Sequence, residues 1–600
     1  MSNFCAGKNL KIILLTTFLL FTISFGCKKQ SYGNADNFYK DDIPFTDLIN
    51  GHDWQHFSGA TVKPEGILIQ ALNRGIVPKI RVPGETAIEQ EKEPLTKNPP
   101  YNLQGPYLKV QGDFLLVATV TPPSEKGALI YFCGQLPDIY DEWKQEGKSI
   151  AIGIKNQLLQ LIIHDGTSII PKTAAFIGSL QNVQLAIKRS GNKIEWYVNN
   201  IFAGNFEDTY NIFGEGKIYF GAEAEAGSSF LLNALVVKPV NLLSKVEVVD
   251  NKICTISALS NTLRSTANLL PRPIHIGTAV AVNPLMTDTL YARTVASQYS
   301  MVTPENDMKF QFIHPQPNIY AFAEADAIVD FARQNKIAVH GHTLAWHEAI
   351  PQWVSAMEND PAKITAIFRD HIITVTSHYK GKITEWDVVN EPVRDLNMDE
   401  NAGLRGSSPW FKAMGEEYID IAFNLVHNID PAAKLYINEY GVEELDETDP
   451  DNKCNVLYRL VKRLQKRHVP IHGIAFQVHE DMGKGKTPVT PDALARTMKK
   501  FTDLGLEVRV SEMDVSLHGT ETAPLLSRQA AYYKAILAVC MANPKCSGFS
   551  TWGFTDRYSS LGWRDNETGK VNYGNGLPFD ERSQPKEAYY ALLSQLKGSR

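Results

Sequence analysis

The sequence has few cysteines and no long basic run. Seven cysteines in 600 residues are too few for a disulfide scaffold of this length. We find no CxxC pair and no histidine-rich spacing that would indicate a metal cluster. The net charge of −6 is small and gives no reason to expect a nucleic-acid partner. The composition, 44% hydrophobic and 21% charged, is instead typical of a soluble globular protein with large cores.

The first apolar run is too short and too close to the N-terminus for a comfortable membrane span. Lys8 and Lys11 precede it, and it ends at Gly26 before Cys27. This pattern resembles a bacterial lipoprotein signal, which is cleaved before a cysteine that is then lipidated. We therefore expect a signal peptide at 1–26, a lipid on Cys27 that anchors the protein to the bacterial cell envelope, and a tether at 27–44. A plain secretory signal is the alternative, and export is expected in both cases.

Residues 45–245 carry strand-like runs and almost no helical periodicity. Runs such as "NVQLAIKR" and "KIEWYVN" are separated by Gly, Asn and Asp, and "RSGNK" is typical of a hairpin turn. The pattern predicts an antiparallel β-sandwich, and its rhythm resembles concanavalin-like jelly rolls. Two roles stay open for this domain. It is either a carbohydrate-binding module that uses Trp54, Trp143 or Trp196, or a spacer.

Residues 259–600, after a predicted linker at 246–258, alternate short apolar runs with amphipathic segments. The runs lie at 274–280, 300–304, 338–346, 385–391, 434–440, 473–479, 507–513 and 548–554. Eight such βα units predict a TIM (β/α)8 barrel with insertions. A doubly wound open sheet is the alternative, but no glycine-rich phosphate loop follows the first run. The predicted fold class is therefore multidomain, with an all-β sandwich before an α/β barrel.

Two carboxylates stand at the ends of these runs, where TIM barrels carry their chemistry. Glu391 ends the fourth run and Glu512 lies in the seventh, on opposite sides of the predicted barrel mouth. Two such carboxylates can approach to about 5–5.5 Å, the separation used in retaining glycoside hydrolysis. In that reaction one carboxylic acid protonates the leaving oxygen while the other carboxylate attacks the anomeric carbon. Their environments must therefore differ, so that one is protonated and the other ionised.

Neighbouring polar and aromatic residues fit a sugar site. Asn390 can hydrogen-bond a sugar 2-hydroxyl, and His479 can hydrogen-bond Glu512 and keep it charged. Trp346 and Trp552 offer flat apolar faces for a sugar ring. Each of these residues alone has a structural explanation. Their joint placement, at the ends of different strands, predicts a catalytic mouth.

The barrel region resembles glycoside hydrolase family 10, the retaining endo-β-1,4-xylanases. The resemblance rests on "IGTAV", "VTPENDMKF", "GHTLAWH", "PQWV", "WDVVNEP", "LYINEY", "GIAFQVH", "VRVSEMDVS" and "STWGFTD", which occur in the family's order and spacing. It implies an endo-1,4-β-xylanase that acts on xylan or xylo-oligosaccharides. Glu391 would be the general acid/base and Glu512 the nucleophile. The resemblance implies neither a metal nor an organic cofactor.

The resemblance also implies roles for the residues around the pair. They are Asn390, His342 and Trp346 at the −1 subsite, Gln477 beside Glu391, His479 beside Glu512, Glu305, Asn306 and Lys309 at the −2 sugar, Trp552 as a roof over the −1 ring, Asp514 as a supporting carboxylate, and Tyr440 at the end of its strand. The spacing of Cys540 and Cys546 matches a disulfide found in many members.

Three departures from the family's pattern lie around the glycone side and the loops. The family usually has Gln where Ala349 stands, so one sugar hydrogen bond is missing. The family's "NDYN" reads "NEYG", which gives Glu439 and Gly441. Ser560 stands where the family has a tryptophan, and Trp563 would fill that role from a shifted loop. Two other functions stay open: a related retaining β-glycosidase acting on another β-glycan, and a non-catalytic surface lipoprotein that binds glycans.

Overall fold

A computed structural model shows two folded regions, an antiparallel β-sandwich and a parallel β/α barrel. The residues it describes are 43–50, 52, 60–70, 106–121, 128–135, 148–155, 158–165, 169–175, 182–213, 216–224, 229–250, 259–395, 403–483, 486–517, 522–564, 571–572 and 574–598. The predicted signal peptide, the lipidation site Cys27 and nearly all of the tether lie outside them. No helix in the described ranges is long and apolar enough to cross a membrane.

The sandwich consists of two antiparallel sheets. Its described strands are β1 (Thr46–Asp47), β2 (Ala60–Lys63), β3 (Gly66–Gln70), β4 (Pro106–Gln111), β5 (Phe114–Thr121), β6 (Ala128–Gln135), β7 (Lys148–Lys155), β8 (Leu158–Asp165), β9 (Ile169–Ala175), β10 (Val183–Ser190), β11 (Lys193–Val198), β12 (Ile201–Glu207), β13 (Gly216–Ala224), β14 (Ser229–Pro239) and β15 (Lys245–Asp250). One sheet has the order β12-β11-β10-β5-β14-β3-β2 with β1 beside β14, and the other has the order β15-β4-β13-β6-β7-β8-β9. Inward side chains from both sheets share one apolar core.

Two sequence expectations about this region need correction. Residues 246–250 were expected in the linker, but they pair with β4 as most of β15. Trp196 was a candidate for sugar binding, but it is only 3% exposed and belongs to the core. A Cβ on Gly204 would lie 2.5 Å from its indole nitrogen, so the ring packs against β12. The other two candidates, Trp54 and Trp143, lie outside the described residues.

The barrel has eight parallel strands, as predicted. They are β16 (His275–Val280), β17 (Met301–Pro304), β18 (Ala338–Ala345), β19 (Glu385–Asn390), β20 (Lys434–Glu439), β21 (Gly473–Phe476), β23 (Glu507–Ser516) and β24 (Cys546–Thr551), and a short β22 (His479–Asp481) adds to β23. Each strand pairs with the next, β21 pairs with β23, and β24 pairs with β16, which closes the cylinder. Because the strands are parallel, their carboxyl ends meet at one rim.

Helices surround this cylinder. They are α1 (Leu263–Ala267), α2 (Val282–Thr287), α3 (Thr289–Gln298), α4 (Phe310–Ile313), α5 (Ala323–Gln334), α6 (Gln352–Ser355), α7 (Pro361–Tyr379), α8 (Pro409–Met414), α9 (Glu417–Ile429), α10 (Lys453–Lys466), α11 (Pro491–Thr502), α12 (Ala523–Ala542) and α13 (Glu587–Gly598). A short ribbon, β25 (Trp563–Arg564) with β26 (Val571–Asn572), follows the last strand. The apolar faces of the helices pack on the strands in one continuous core that holds the rim in place.

Candidate active site

Glu391 is the first residue after β19, and its backbone is held in a left-handed conformation with φ of 52°. A non-glycine residue pays an energetic penalty there, so its surroundings must fix it. Its N–H donates to the carbonyl of Asn438 at 2.8 Å. Arg405 Nε donates to its carbonyl at 3.0 Å. These bonds turn the chain at the strand end and direct the carboxylate into the rim.

The carboxylate of Glu391 accepts hydrogen bonds from two neutral donors. Trp346 Nε1 donates to Oε2 at 2.8 Å, and Gln477 Nε2 donates to Oε1 at 3.0 Å. The nearest imidazole, His347, lies 3.8 Å from Oε2 through its Nδ1. The group is partly open, with 11% of its side chain exposed. Its neighbours therefore position it without a charged hydrogen-bond donor.

Glu512 lies on the opposite side of the rim in a different electrostatic setting. His479 Nε2 lies 3.2 Å from its Oε2, and His342 Nδ1 lies 3.9 Å from its Oε1. Burial alone would raise the pKa of Glu512. The hydrogen bond from His479 and the charges of His342 and His479 outweigh burial, so the pKa lies below its ordinary value. The residue is 5% exposed and is held as a carboxylate.

His479 is itself kept charged by Asp514. Its Nδ1 lies 2.8 Å from Asp514 Oδ2, so both ring nitrogens face carboxylates. Burial would lower the pKa of His479, but the charge and hydrogen bond of Asp514, together with Glu512, raise it well above its ordinary value. An imidazolium between two carboxylates therefore fixes Glu512 in place.

A chain of amides joins the two catalytic candidates. Gln477 Nε2, which bonds Glu391, also lies 3.4 Å from Asn390 Oδ1. Asn438 Nδ2 donates to the same oxygen at 2.9 Å and to Glu512 Oε1. Asn438 is fully buried and was not among the predicted site residues. Its signal was present in "LYINEY", since this asparagine lies at the rim end of β20.

The predicted glycone residues surround one cation. Lys309 Nζ donates to Asn306 Oδ1 at 2.9 Å and lies 5.0 Å from the ring of Trp346 and 5.7 Å from that of Trp552. Burial lowers the pKa of Lys309, although Glu305 and other carboxylates oppose this shift. The aromatic faces and these donors lie on the same rim as the carboxylates, as expected for a sugar cleft.

His342 and Trp552 lie together beside Glu512. The ring of Trp552 lies 5.2 Å from that of His342 in an edge-on arrangement. His342, Asp387 and Glu512 offer ligand atoms within 4.8 Å of one another, a spacing that a metal ion could use. However, His342 Nδ1 lies 2.9 Å from Asp387 Oδ2, so these atoms are engaged with each other. His342 and Asp387 therefore form a hydrogen-bonded pair, and Glu512 lies beside it, 3.9 Å from His342 Nδ1.

Tyr440 lies to one side of the two carboxylates. Its hydroxyl donates to Asp395, and Arg405 Nη1 lies 2.9 Å from the same carboxylate. Lys453 Nζ lies 2.9 Å from Glu439 Oε1 and 3.3 Å from the ring of Tyr440. Sequence analysis missed this buried network, because its charges come from helix α10 and from a loop. It supports the segment that follows Glu391.

Glu439 is the most deeply buried carboxylate in that network. Burial raises its pKa to about 7, Lys453 and Arg405 oppose this shift, and the charge of Glu391 adds to it. Its Oε2 also accepts from the N–H of Val393 at 2.9 Å, just beyond Glu391. The change from the family's Asp to this Glu therefore affects the support beneath the site.

The remaining predicted residues fall in three groups. Cys540 and Cys546 form a disulfide with an S–S distance of 2.10 Å. Ala349 is buried and has φ of 53°. Trp563 lies in β25, but its side chain lies outside what the structure describes. Its role as a substitute for the tryptophan missing at Ser560 stays a prediction.

Two carboxylates in contrasting settings can carry out acid–base and nucleophilic chemistry together. Glu391 is partly open and bonded to neutral groups, which suits a residue that gives and takes a proton. Glu512 is buried against an imidazolium and ionised, which suits a nucleophile. The predicted separation of about 5–5.5 Å between them stays a prediction.

Comparison with known proteins places the barrel among glycosidases. The model of glycosyl hydrolase family 10 matches residues 266–595. Endo-1,4-beta-xylanase B of Thermotoga neapolitana is 36% identical over 322 residues, which is 53% of this chain and 87% of that protein. Beta-1,4-xylanase of Dictyoglomus thermophilum is 38% identical over 313 residues, which is 50% of this chain and 84% of that protein.

Solved structures agree with these relatives. Xylanase 10B from Thermotoga petrophila RKU-1, in complex with xylobiose, superposes with a TM-score of 0.51 at 36% identity. The match covers 57% of this chain and 98% of that one. Native xylanase 10B from Thermotoga maritima gives a TM-score of 0.50 at 37% identity and covers 56% and 98% of the two chains. The similarity therefore extends over the barrel.

Proposed function

The chain belongs to glycosyl hydrolase family 10, and from that membership we propose that it is an endo-1,4-β-xylanase that cleaves internal bonds of xylan with retention of configuration. The observation that carries the proposal is the contrast between its two carboxylates. Glu391 is bonded to Trp346 and Gln477, which are neutral, whereas Glu512 faces a charged His479. Relatives named as xylanases, and a related structure with xylobiose, support xylan as the substrate.

The reaction proceeds in two displacements. Glu391 gives its proton to the glycosidic oxygen while Glu512 attacks the anomeric carbon, so the glycosidic bond breaks and a glycosyl ester forms. Glu391, now a carboxylate, takes a proton from water as that water attacks the same carbon. The ester bond breaks, Glu512 is restored, and the sugar leaves with its original anomeric configuration. Asn390 would hold the 2-hydroxyl during both steps.

The stereochemistry of the first product tests this mechanism directly. Proton NMR during xylan hydrolysis should show the β-anomer before mutarotation, and release of the α-anomer would rule the mechanism out. Glu512→Ala should lower kcat/KM by at least about 10³-fold, because the nucleophile is lost. Glu391→Gln should lower kcat/KM on xylan by about 10²–10⁴-fold. The same variant should lose much less on an aryl xylobioside whose leaving group needs no proton.

The substrate is tested by comparing several polysaccharides. We expect xylan to be hydrolysed faster than mixed-linkage glucan or cellulose. A preference for glucan would favour the alternative of a β-glycosidase with another main substrate. Binding of xylan without release of reducing sugar would instead favour a non-catalytic glycan-binding protein.

We also propose that the protein is exported and anchored by lipid on Cys27. The support is the sequence "SFGC" after a short apolar run with Lys8 and Lys11 before it. Acyl chains on that cysteine would hold the enzyme at the bacterial envelope. Cys27→Ala should move the enzyme from the membrane fraction to the soluble exported fraction and abolish incorporation of labelled palmitate. An enzyme that is found in the soluble exported fraction both with and without Cys27 would favour the plain secretory signal.

A further inference from the structure

A buried ionic layer lies inside the barrel, one step below the catalytic rim. His340 pairs in register with Glu385, and two residues further along the strands His342 pairs with Asp387. Residues that pair in register on neighbouring parallel strands point to the same side of the sheet. The interior of this fold is usually filled by branched apolar side chains. Here the lower level instead holds His340, Glu385 and Arg509, which are 1%, 7% and 1% exposed.

Small residues make room for the guanidinium of Arg509. Its neighbours in the sheet are Ala475 on β21 and Gly548 on β24. Arg509 Nη1 contacts Glu385 Oε2, and Nη2 lies 3.2 Å from Ser550 Oγ. The cation is thus fixed inside the barrel rather than at its surface. In the interior its charge acts over a longer distance, because the dielectric constant is lower than that of water.

His340 links this layer to the level above it. Its Nδ1 lies 3.0 Å from Glu385 Oε2, and its Nε2 lies 2.9 Å from Asp387 Oδ1, a close contact without hydrogen-bond geometry. A carboxylate oxygen beside each ring nitrogen favours the protonated ring, whereas Arg509 Nη1, 2.8 Å from Nδ1, disfavours it. Burial would lower the pKa of His340, and Arg509 opposes protonation, but Asp387 and Glu385 outweigh both and raise it.

The groups that face His340 come from three strands. They are Glu385 and Asp387 on β19, Arg509 on β23 with Nη1 2.8 Å from His340 Nδ1, and Tyr436 on β20 with its ring 5.9 Å away. His275 on β16 couples electrostatically to Glu385 and Arg509. The two cations Arg509 and His340 balance the two carboxylates Glu385 and Asp387. Such a layer is stable only while every member is present.

Asp387 carries the connection up to the rim. Its Oδ2 lies 2.9 Å from His342 Nδ1, and that nitrogen lies 3.9 Å from Glu512 Oε1. An unbroken line of contacts therefore runs from Arg509 through His340 to the nucleophile.

We propose that His340 is a positioning residue for the reaction, which holds Asp387 and His342 in place and so keeps Glu512 oriented and ionised. The proposal rests on the assignment of Glu512 as nucleophile. His340 makes no contact with the substrate rim, and it acts only through Asp387. The charge needed for the first displacement is thus set partly by residues inside the barrel.

The test compares His340→Gln with His275→Gln in the full-length enzyme. Both variants replace a histidine near Glu385 and Arg509, but only His340 faces Asp387. For His340→Gln we expect kcat/KM to fall about three- to tenfold and its acidic limb to move up by about half a pH unit, since a buried cation near Glu512 is lost. His275→Gln should change neither. The proposal would be overturned if His340→Gln and His275→Gln had the same thermal stability and the same acidic limb in the pH profile of kcat/KM.

A second measurement needs no folded variant. Spectra of the wild-type enzyme with isotope-labelled histidine should show two rings that stay protonated to a higher pH than an ordinary histidine does. One is His479, whose signal should respond to added xylo-oligosaccharide, and the other is His340, whose signal should not. Absence of the second ring would overturn the proposal. An inactive wild-type enzyme would instead count against the proposed function, while these spectra would still decide the charge of His340.

Discussion

At the scale of single residues, the site is built from side chains that each hydrogen-bond two neighbours. Asn438 shows this best, because its amide nitrogen bonds both Asn390 and Glu512, while its oxygen accepts from Ser511 Oγ at 2.7 Å. An amide has separate donors and an acceptor, so it holds a carboxylate on one side and a hydroxyl on the other. Sequence alone marked its place at a strand end, but the triple contact depends on β19, β20 and β23 meeting in space.

Asn438→Ala should weaken catalysis more than its distance from the sugar would indicate. Loss of the amide leaves Glu512 with one hydrogen-bond partner fewer and frees Asn390, so we expect kcat/KM to fall by about 10–100-fold. Ser511→Ala is the matched control, since it removes only the bond to the far side of Asn438 and should cost less than about threefold. Kinetics on xylotriose and an aryl xylobioside measure both values. Equal effects of the two substitutions would contradict this role for Asn438.

Trp346 offers a second residue-scale prediction. Trp346→Phe keeps an aromatic face but removes the N–H that donates to Glu391 Oε2. A bond to a carboxylate that is lost from a partly buried site should lower kcat/KM by about tenfold. Trp353→Phe is the control, because its indole nitrogen meets only the carbonyl of His314 at 3.4 Å. A near-normal rate for Trp346→Phe would show that its ring, rather than its N–H, is what matters.

At the scale of elements, hydrophobic periodicity carried most of the prediction. All eight apolar runs of the barrel became strands, within two residues at most ends. Thr490 is the N-cap of α11 before Pro491, and its side chain accepts from the N–H of Ala493 at 3.2 Å. Hydrophobic periodicity did not predict burial where the register of strand pairing decides which side chains face the core. The side of the sheet that holds Trp196 depends on pairing with β10 and β12, and no local pattern fixes that pairing.

The junction of α12 and β24 gives the element-scale prediction. The Cys540–Cys546 disulfide closes a short loop, and Arg272 donates to the carbonyls of Cys546 and Asn543 across the same loop. Cys540→Ser with Cys546→Ser should lower the free energy of unfolding by about 2 kcal/mol, the value expected for so short a loop. The activity should be unchanged. Denaturant unfolding of the variant, and of the wild type with and without reductant, measures the effect.

Because Arg272 spans the same loop, it should limit the loss. Adding Arg272→Met to the disulfide variant should lower the free energy of unfolding by more than the sum of the two separate changes. Each constraint partly compensates for the loss of the other. Simple additivity of the two free energies would show that they act independently.

At the scale of the whole molecule, the two largest apolar cores among the described residues belong to the sandwich and to the barrel, and the barrel interior also holds a cluster of buried charges. The apolar core of the sandwich takes its members from 48–237, and that of the barrel takes its members from 263–596. Composition indicated large cores, and the change of periodicity near 259 indicated where one gives way to the other. The charged interior of the barrel could not be foreseen, because Glu385 and Arg509 lie 124 residues apart in sequence.

The barrel also buries two histidines that have no hydrogen-bond partner, and this predicts its response to acid. The rings of His314 and His371 stack against Phe310, and none of their nitrogens is hydrogen-bonded. Burial lowers the pKa of His314 to about 4 and that of His371 well below its ordinary 6.5. The unfolded chain binds protons at these rings below about pH 6.5, whereas the folded protein does not. The contribution of these two rings to stability should therefore fall as the pH drops from about 6.5 toward 4.

The size of this effect follows from the pKa of His314. A shift from 6.5 to about 4 corresponds to about 3 kcal/mol, lost progressively over that range. Glu385, whose pKa is lowered to about 2 from 4.5, loses its contribution only below its ordinary value. Between about pH 6.5 and 4.5, Glu439 and Glu480, whose pKa values are raised to about 7, are protonated in the folded protein and oppose the histidines, so the share of His371 is read from the difference between variant and wild type. His371→Phe should make the unfolding free energy of the barrel fall less steeply in that window. Equal slopes in wild type and His371→Phe would contradict the explanation.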